Sequence, residues 1–263
     1  MPRFDPHPDV RPAVVTGASS GIGAATAAAL GSAGYPVVLG ARRVDRCLAV
    51  AEAIRDNGGR AEVFELDLHA DAAEPGNVAD FARRAGEAFG PVEVLVSNAG
   101  DVRPLRAESD PAEFARQLQV NLLGAQALVH HLVPGMHSRH RGDVVFITSE
   151  VARDPRPHMA AYVASKAGLE AYARAMAMES EGTGVRVGIV RPGPVSTEQG
   201  STWDVDSIET VMSDWQRWGL MRHGSTLRAL QVAEAVHSMV SVPRGARWAV
   251  LEIQPEAPVE ADR

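Results

Sequence analysis

The chain's 263 residues fit one large α/β domain and are enough to bury a substantial core. A net charge of -7, with acids and bases mixed along the chain, argues against nucleic acid or an anionic membrane as main partner, and no apolar run is long enough to cross a bilayer. The single cysteine, Cys47, rules out an intrachain disulfide, points to a reducing, cytoplasmic setting, and reads as a helix-packing thiol.

In chain order, residues 1–11 are Pro-rich and charged, lack a signal peptide's apolar core, and read as a flexible lead-in. Ala13–Thr16 is a short buried strand. The turn Gly17-Ala-Ser-Ser-Gly21-Ile22-Gly23 follows, then an Ala-rich helix to about Ala33. A glycine-rich turn between strand and helix lets backbone N–H groups approach an anion at the positive helix end, although a plain tight turn with packing glycines remains the other reading. Pro36–Ala41 is the second strand, ending in Arg42 and Arg43 with no acid before Asp45. An acid near this point binds a ribose diol, whereas arginine accommodates a 2′-phosphate, so the pattern points to NADP(H) unless the arginines form only a solvated loop.

A helix over 44–57 ends at Gly58-Gly59, and Glu62–Leu66 is the third strand. After the loop 71–76 a helix runs to about Phe89, and the fourth strand, Val92–Val96, ends in Ser97-Asn98-Ala99-Gly100. Small residues there let a cofactor lie close to the backbone. One long helix is predicted over 111–137; it contains Asn121, unfavourable in mid-helix unless it caps or faces solvent. His130, His131, His137 and His140 lack a metal-site spacing and read as a polar helix end, so no metal is expected.

The β-branched run 143–148 is the fifth strand, with Ser149 at its end. Pro155 and Pro157 keep the next segment out of a helix, and an Ala-rich helix runs from about Ala160 to Glu181. Tyr162 and Lys166, four apart, share one face of it. A phenol of pKa about 10 is a poor proton carrier near neutrality, and an adjacent cation favours phenolate. Lys166 could be that cation and Ser149 the hydrogen-bond partner of a reacting oxygen; alone, Tyr162 and Lys166 read as an ordinary helix pair. Val185–Val190 is the sixth strand. Residues 198–225 lose periodicity but carry Trp203, Met212, Trp215, Trp218 and Met221, a substrate lid, a subunit contact or core. A helix over 227–240, a seventh strand over 247–253 and a loose tail over 255–263 complete the chain. Alternating strands and helices predict a parallel sheet covered on both faces.

Together these stretches resemble the short-chain dehydrogenase/reductase family over about residues 12–253. The motifs stand in family order: Thr16-Gly17-x-x-x-Gly21-Ile22-Gly23, Ser97-Asn98-Ala99-Gly100, Asn121, Ser149 with Tyr162-x-x-x-Lys166, and Pro192-Gly193. The resemblance implies a single doubly wound Rossmann-type domain over 12–254 with a seven-stranded parallel sheet. Tyr162 would be the general acid or base, and Lys166 would lower its pKa and hold the nicotinamide ribose. Ser149 would orient the substrate oxygen; Asn121 would kink its helix and anchor a water leading to Lys166. Gly17, Ser20, Gly21, Ile22 and Gly23 would line the pyrophosphate turn; Ser19, Arg42 and Arg43 would meet the 2′-phosphate. Asp67 and Leu68 would border adenine, and Asn98, Ala99 and Gly100 the ribose side. Pro192, Gly193, Val195 and Thr197 would lie along the nicotinamide. Glu150, His158 and Met159 flank the catalytic segment and would edge the substrate pocket.

The implied activity is NADP(H)-dependent hydride transfer between nicotinamide and a carbonyl or secondary alcohol, in a homodimer or homotetramer. Two alternatives stay open: an NAD-dependent alcohol dehydrogenase of the same family, and a non-catalytic cofactor-binding sensor or scaffold. The family often has Asn where Ser97 stands, and Asp-Gly-Gly where Glu252-Ile253-Gln254-Pro255 stands. The second departure puts the usual C-terminal subunit contact in doubt.

Overall fold

Runs of β-branched residues and Ala-rich stretches become strands and helices in near-strict alternation in the computed structural model, which describes residues 4–69, 76–198, 203–221 and 223–259. Residues 71–75 of the loop expected over 71–76, parts of the 198–225 loop and the extreme ends of lead-in and tail lie outside the described residues. The strands are β1 (Ala13–Thr16), β2 (Val37–Ala41), β3 (Ala61–Glu65), β4 (Val94–Ser97), β5 (Gly142–Ile147), β6 (Val185–Pro192), β7 (Val195–Ser196), β8 (Leu227–Arg228) and β9 (Val250–Ile253). The α-helices are α1 (Gly21–Ser32), α2 (Val44–Asp56), α3 (Gly76–Ala88), α4 (Pro111–Leu118), α5 (Gly124–Ser138), α6 (Ala160–Glu179), α7 (Val205–Arg217) and α8 (Ala229–Ser241).

The main sheet has seven parallel strands in the order β3-β2-β1-β4-β5-β6-β9. Successive strand residues point to opposite faces. Val14, Val38 and Leu95 therefore join one core with Phe81, Leu128, Met136 and Leu169. Val15, Leu39 and Val96 join the other, with Leu30, Ile54, Val236 and Cys47. The thiol of Cys47 is a packing group, and burial pushes its pKa up to about 11. The chain leaves β1 towards β2 and β3, then crosses back to β4. The switch between β1 and β4 opens the crevice at the carboxyl ends in which sheets of this type bind ligands.

Several segments differ from the sequence-based expectation. Arg11, placed in the flexible lead-in, is buried in the core. It donates to Val240 O at 2.7 Å and pairs with Asp143, whose other oxygen takes Arg186 Nε at 2.6 Å. The single helix expected over 111–137 is split by a π-turn at Gln119–Leu123, at the Asn121 where the resemblance implied a kink. Region 198–225, expected without regular structure, contains α7, capped by Asp204, whose Oδ1 accepts the Ser207 N–H at 2.8 Å. The two-residue strands β7 and β8 pair with each other apart from the main sheet.

Candidate active site

The carboxyl ends of β1 and β4 are tied directly. Thr16 Oγ1 accepts the N–H groups of Asn98 at 3.1 Å and Ala99 at 3.0 Å, while Asn98 Nδ2 donates to Thr16 O at 2.9 Å. Gly17, at φ +66°, lies so close to β4 that a Cβ there would sit 2.8 Å from Ala99 Cα. A Cβ on Gly23 would fall 2.3 Å from Gly17 O, so only glycine lets α1 start this near the turn. The result is a groove of about 350 Å³ over the start of α1. Gly17, Ser19, Ser20, Gly21 and Ile22 line one wall; Asn98, Ala99 and Gly100 line the floor. Arg42, Arg43, Leu68 and Thr197 also face it.

The two arginines behave differently. Arg43 donates to Ser19 Oγ at 3.1 Å and to Ser20 Oγ at 2.8 Å, and it faces Glu198 at 3.3 Å. Arg42 is largely exposed, 4.0 Å from Asp67. Asp67 accepts from its own loop at the His69 N–H, 2.9 Å away. Of the two arginines expected at the 2′-phosphate with Ser19, Arg43 is the one that meets it. Gly193 and Val195 stand outside the groove lining. Gly193 N donates to Ile253 O at 2.8 Å, and the Gln254 side chain covers the place of its absent Cβ. Pro192, paired with Ile253, ends β6. The unusual segment Glu252–Pro255 thereby backs the Pro192-Gly193 turn, and Glu252 accepts Arg191 at 2.8 Å and Arg153 at 2.7 Å.

Beyond the groove, β5 delivers Ser149 and the first turns of α6 deliver Tyr162 and Lys166. The Ser149 hydroxyl, which accepts the Val151 N–H at 3.4 Å, lies near enough to the Tyr162 phenol to favour its ionised form. Tyr162 is 9% exposed and Lys166 4%. Lys166 Nζ donates to Ile147 O at 2.8 Å and lies 5.8 Å from the Tyr162 ring centre. Burial pushes the phenol up to about 12, with Glu150 adding to the rise and Ser149 opposing it. Burial lowers Lys166 to about 8. Loss of hydration dominates the Tyr162 shift, and only the Ser149 hydroxyl acts against it.

Asn121 is buried and clamps the chain after β4. Its Oδ1 accepts the Asp101 N–H at 2.7 Å; its Nδ2 donates to Asp101 O at 2.8 Å and Ser165 Oγ at 2.9 Å. Ser165 Oγ in turn donates to Tyr162 O at 2.8 Å. A Cβ on Gly100 would lie 3.3 Å from Asn121 Oδ1 and 3.6 Å from Lys166 Nζ, so the π-turn brings Asn121 beside the lysine.

Among the residues expected to edge the substrate pocket, Met159 is buried against Tyr162. Glu150 is held by Arg156, and His158 Nε2 lies 2.6 Å from Asp214 Oδ2 on α7. Thr16, Ser165, Arg156 and Asp214 were not singled out from sequence. Thr16 alone had a signal, as the first residue of the glycine motif. A larger cavity, about 570 Å³, lies at the amino ends of β5 and β6. None of the residues expected to bind cofactor or substrate lines it, and its Arg11, Asp143 and Arg186 are spent on one another.

A family model described as short chain dehydrogenase matches residues 11–206. The chain is 37% identical over 199 residues to the glycine betaine reductase of Emericella nidulans, covering 75% of this chain and 15% of that protein. It is 36% identical over 208 residues to an uncharacterised oxidoreductase of Mycobacterium tuberculosis, covering 76% and 60% respectively. The match thus spans less than two thirds of either protein. With the cis-4-hydroxycyclohexanecarboxylate dehydrogenase of Sinomonas cyclohexanicum it shares 34% identity over 235 residues, 88% of this chain and 89% of the other. Among solved structures, an alcohol dehydrogenase from the archaeon Thermococcus sibiricus complexed with 5-hydroxy-NADP superposes with a TM-score of 0.80 at 29% identity, over 96% of this chain and 100% of that one. A metagenomic short-chain oxidoreductase in complex with NADP gives 0.77 at 31% identity, over 94% and 98%.

Proposed function

The chain belongs to the short-chain dehydrogenase family, and from that premise we propose that it is an NADP(H)-dependent oxidoreductase acting on a carbonyl compound or its secondary alcohol. The observation that carries the reading is the meeting of Tyr162 and Lys166, with Ser149 near the phenol, beside Gly100 of the groove. The groove fits a dinucleotide. Gly17 and Gly23 let the turn pack tightly against β4 and α1, which puts the positive end of α1 at the groove where a pyrophosphate would lie, and Ser19, Arg43 and Arg42 offer donors to a 2′-phosphate. Structural neighbours crystallised with NADP or a derivative support the same cofactor.

When bound, the cofactor would supply the hydride. The protein's own work is then orientation and proton transfer. Ser149 would donate a hydrogen bond to the substrate oxygen, and Tyr162 would pass its phenolic proton to that oxygen as the hydride reaches carbon. A phenol held up at about 12 stays protonated at neutral pH, the form that carbonyl reduction consumes, but gives that proton up only where the phenolate left behind is stabilised. Lys166 would stabilise the phenolate left behind. Asn121 keeps Gly100 and Lys166 in register through Asp101 and Ser165. We extend the reading to a cytoplasmic homodimer or homotetramer joined through α4, α5 and α6, with small molecules in place of nucleic acid or membrane as partners.

The deciding experiment is Tyr162→Phe. The variant is expected to keep NADPH affinity, read by fluorescence titration, and to lose on the order of 10²–10⁴-fold in turnover, read by NADPH absorbance with a panel of ketones. Retained turnover would remove Tyr162 from the mechanism.

A further inference from the structure

Tyr162 sits in a small apolar cluster of its own, separate from the two cores of the sheet. Val151 and Met159 pack with it, and Val102, Val163, Trp203 and Trp215 close over them. Both indoles have spent their one polar atom on backbone. Trp203 Nε1 donates to Val102 O at 3.0 Å and Trp215 Nε1 to Pro157 O at 3.1 Å. What they offer beside Tyr162 is apolar ring surface.

The charges around this cluster are already cancelled. Glu150 is paired with Arg156, and both are only 12% exposed. Arg153 is paired with Asp154 and Glu252, and His158 lies against Asp214. Apart from Lys166, which the mechanism uses, every charged side chain between Ser149 and Lys166 has a partner of opposite sign or, for His158, a carboxylate contact. An anionic substrate group would lose its water with no unpaired cation among the described side chains between Ser149 and Lys166 except Lys166 to receive it, and would meet Glu150, whose charge already raises the Tyr162 pKa. Arg156 does more than neutralise. It donates to Leu220 O at 2.6 Å, just beyond α7, and lies 5.0 Å over the Trp215 ring. One guanidinium thus holds Glu150, the end of α7 and an indole in a fixed relation.

We propose that the apolar surface beside Tyr162 selects a neutral, apolar, ring-bearing carbonyl compound or the matching secondary alcohol, with Trp203 and Trp215 as specificity-determining residues and Arg156 as the residue that positions Trp215. This rests on the oxidoreductase reading above. The selection comes from two sources: apolar faces that reward a hydrophobic ring, and a paired-charge rim that penalises an ionised one.

The test uses the full chain with NADPH and two ketones of similar size, 4-methylcyclohexanone and 4-oxocyclohexanecarboxylate. The neutral ketone is expected to have the higher kcat/KM by at least about tenfold. Equal values, or preference for the carboxylate, would overturn the inference while leaving the oxidoreductase reading intact. A second readout needs no turnover: the neutral ketone should quench tryptophan fluorescence in the presence of NADP⁺, and the conservative variants Trp203→Phe and Trp215→Phe should each remove part of that signal. Quenching without turnover would sink the oxidoreductase reading and leave the selectivity standing. Absence of both would overturn the inference. Trp215→Ala and Arg156→Met should raise KM for the neutral ketone about tenfold with NADPH affinity unchanged. A loss confined to kcat would place Arg156 elsewhere in the mechanism.

Discussion

Thr16 and Asn98 stitch β1 to β4 through reciprocal contacts: the threonine hydroxyl accepts the Asn98 N–H at 3.1 Å, and the asparagine amide donates to Thr16 O at 2.9 Å. The same hydroxyl holds the Ala99 N–H, so one side chain orders two backbone donors at the groove floor. Thr16→Val keeps the shape and removes the acceptor. It should cost about 1–2 kcal/mol by chemical denaturation, because both N–H groups lose their partner. NADPH affinity should fall with it; an unchanged affinity would mean that the floor is held by the strands alone.

Arg43 and Arg42 make separable predictions. Arg43 sits on Ser19 and Ser20, whereas Arg42 projects past Asp67. Arg43→Glu should weaken NADPH binding more than tenfold and leave NADH binding nearly unchanged, as an order-of-magnitude expectation for losing a phosphate partner. Arg42→Glu should have the smaller effect. The reverse ranking in fluorescence titrations would return the 2′-phosphate to Arg42.

Lys166 carries a pH prediction. Its pKa is lowered to about 8 by burial, so its charge is present below that pH and lost above it. The reductive kcat/KM should be level below pH 8 and decline as pH rises through it, provided Lys166 stabilises the Tyr162 phenolate. Stability runs the other way. Between pH 8 and the unfolded lysine value near 10.4 the unfolded chain holds a proton the folded chain lacks, so this group's contribution rises with pH. Lys166→Met should therefore be at least as stable as the parent at pH 7, by up to about 3 kcal/mol, while losing activity. Thermal melts at pH 7 and pH 10 read both effects.

Asn121→Ala removes a side chain that is 1% exposed and satisfies both backbone groups of Asp101. A loss of about 2–3 kcal/mol is expected, since those groups and Ser165 are left without partners. Asn121→Asp keeps the acceptor for the Asp101 N–H and should recover part of the stability but not the donor to Ser165. Equal losses in the two variants would show that the donor carries the whole effect.

Much of this architecture was legible because strands buried on both faces read as β-branched runs, and the helices between them as alanine-rich ones. The glycine turn, Ser149 and the Tyr162–Lys166 spacing were local patterns that the fold brings to one end of the sheet. Long-range relations were not. Which of two adjacent arginines turns towards Ser19 depends on where β2 ends and α2 begins. The sign of the Tyr162 shift depends on burial, which spacing does not encode. Arg11 read as lead-in because its partner Asp143 lies 132 residues away. α7 had a usable signal, with Asp204 as cap and Ile208, Val211, Met212 and Trp215 at helical spacing. The exposure of Ile208 and Met212 explains why that stripe resembled an irregular loop: half of it faces away from the body of the protein.

The stitch between Thr16 and Asn98 spans 82 residues of sequence. During synthesis the glycine turn leaves the ribosome early, yet it has no floor until β4 follows, with β2 and β3 translated in between. Closing a separation of that length is slow compared with forming helices. The nascent half-sheet β3-β2-β1 must wait with the β4 side of β1 bare, a surface on which neighbouring chains could pair. A chain stalled before residue 98 would own every residue of the glycine motif and bind no dinucleotide. Acquisition of cofactor affinity is thus a timestamp for the moment the two halves of the sheet join, and pulse-labelled nascent chains of graded length would record it.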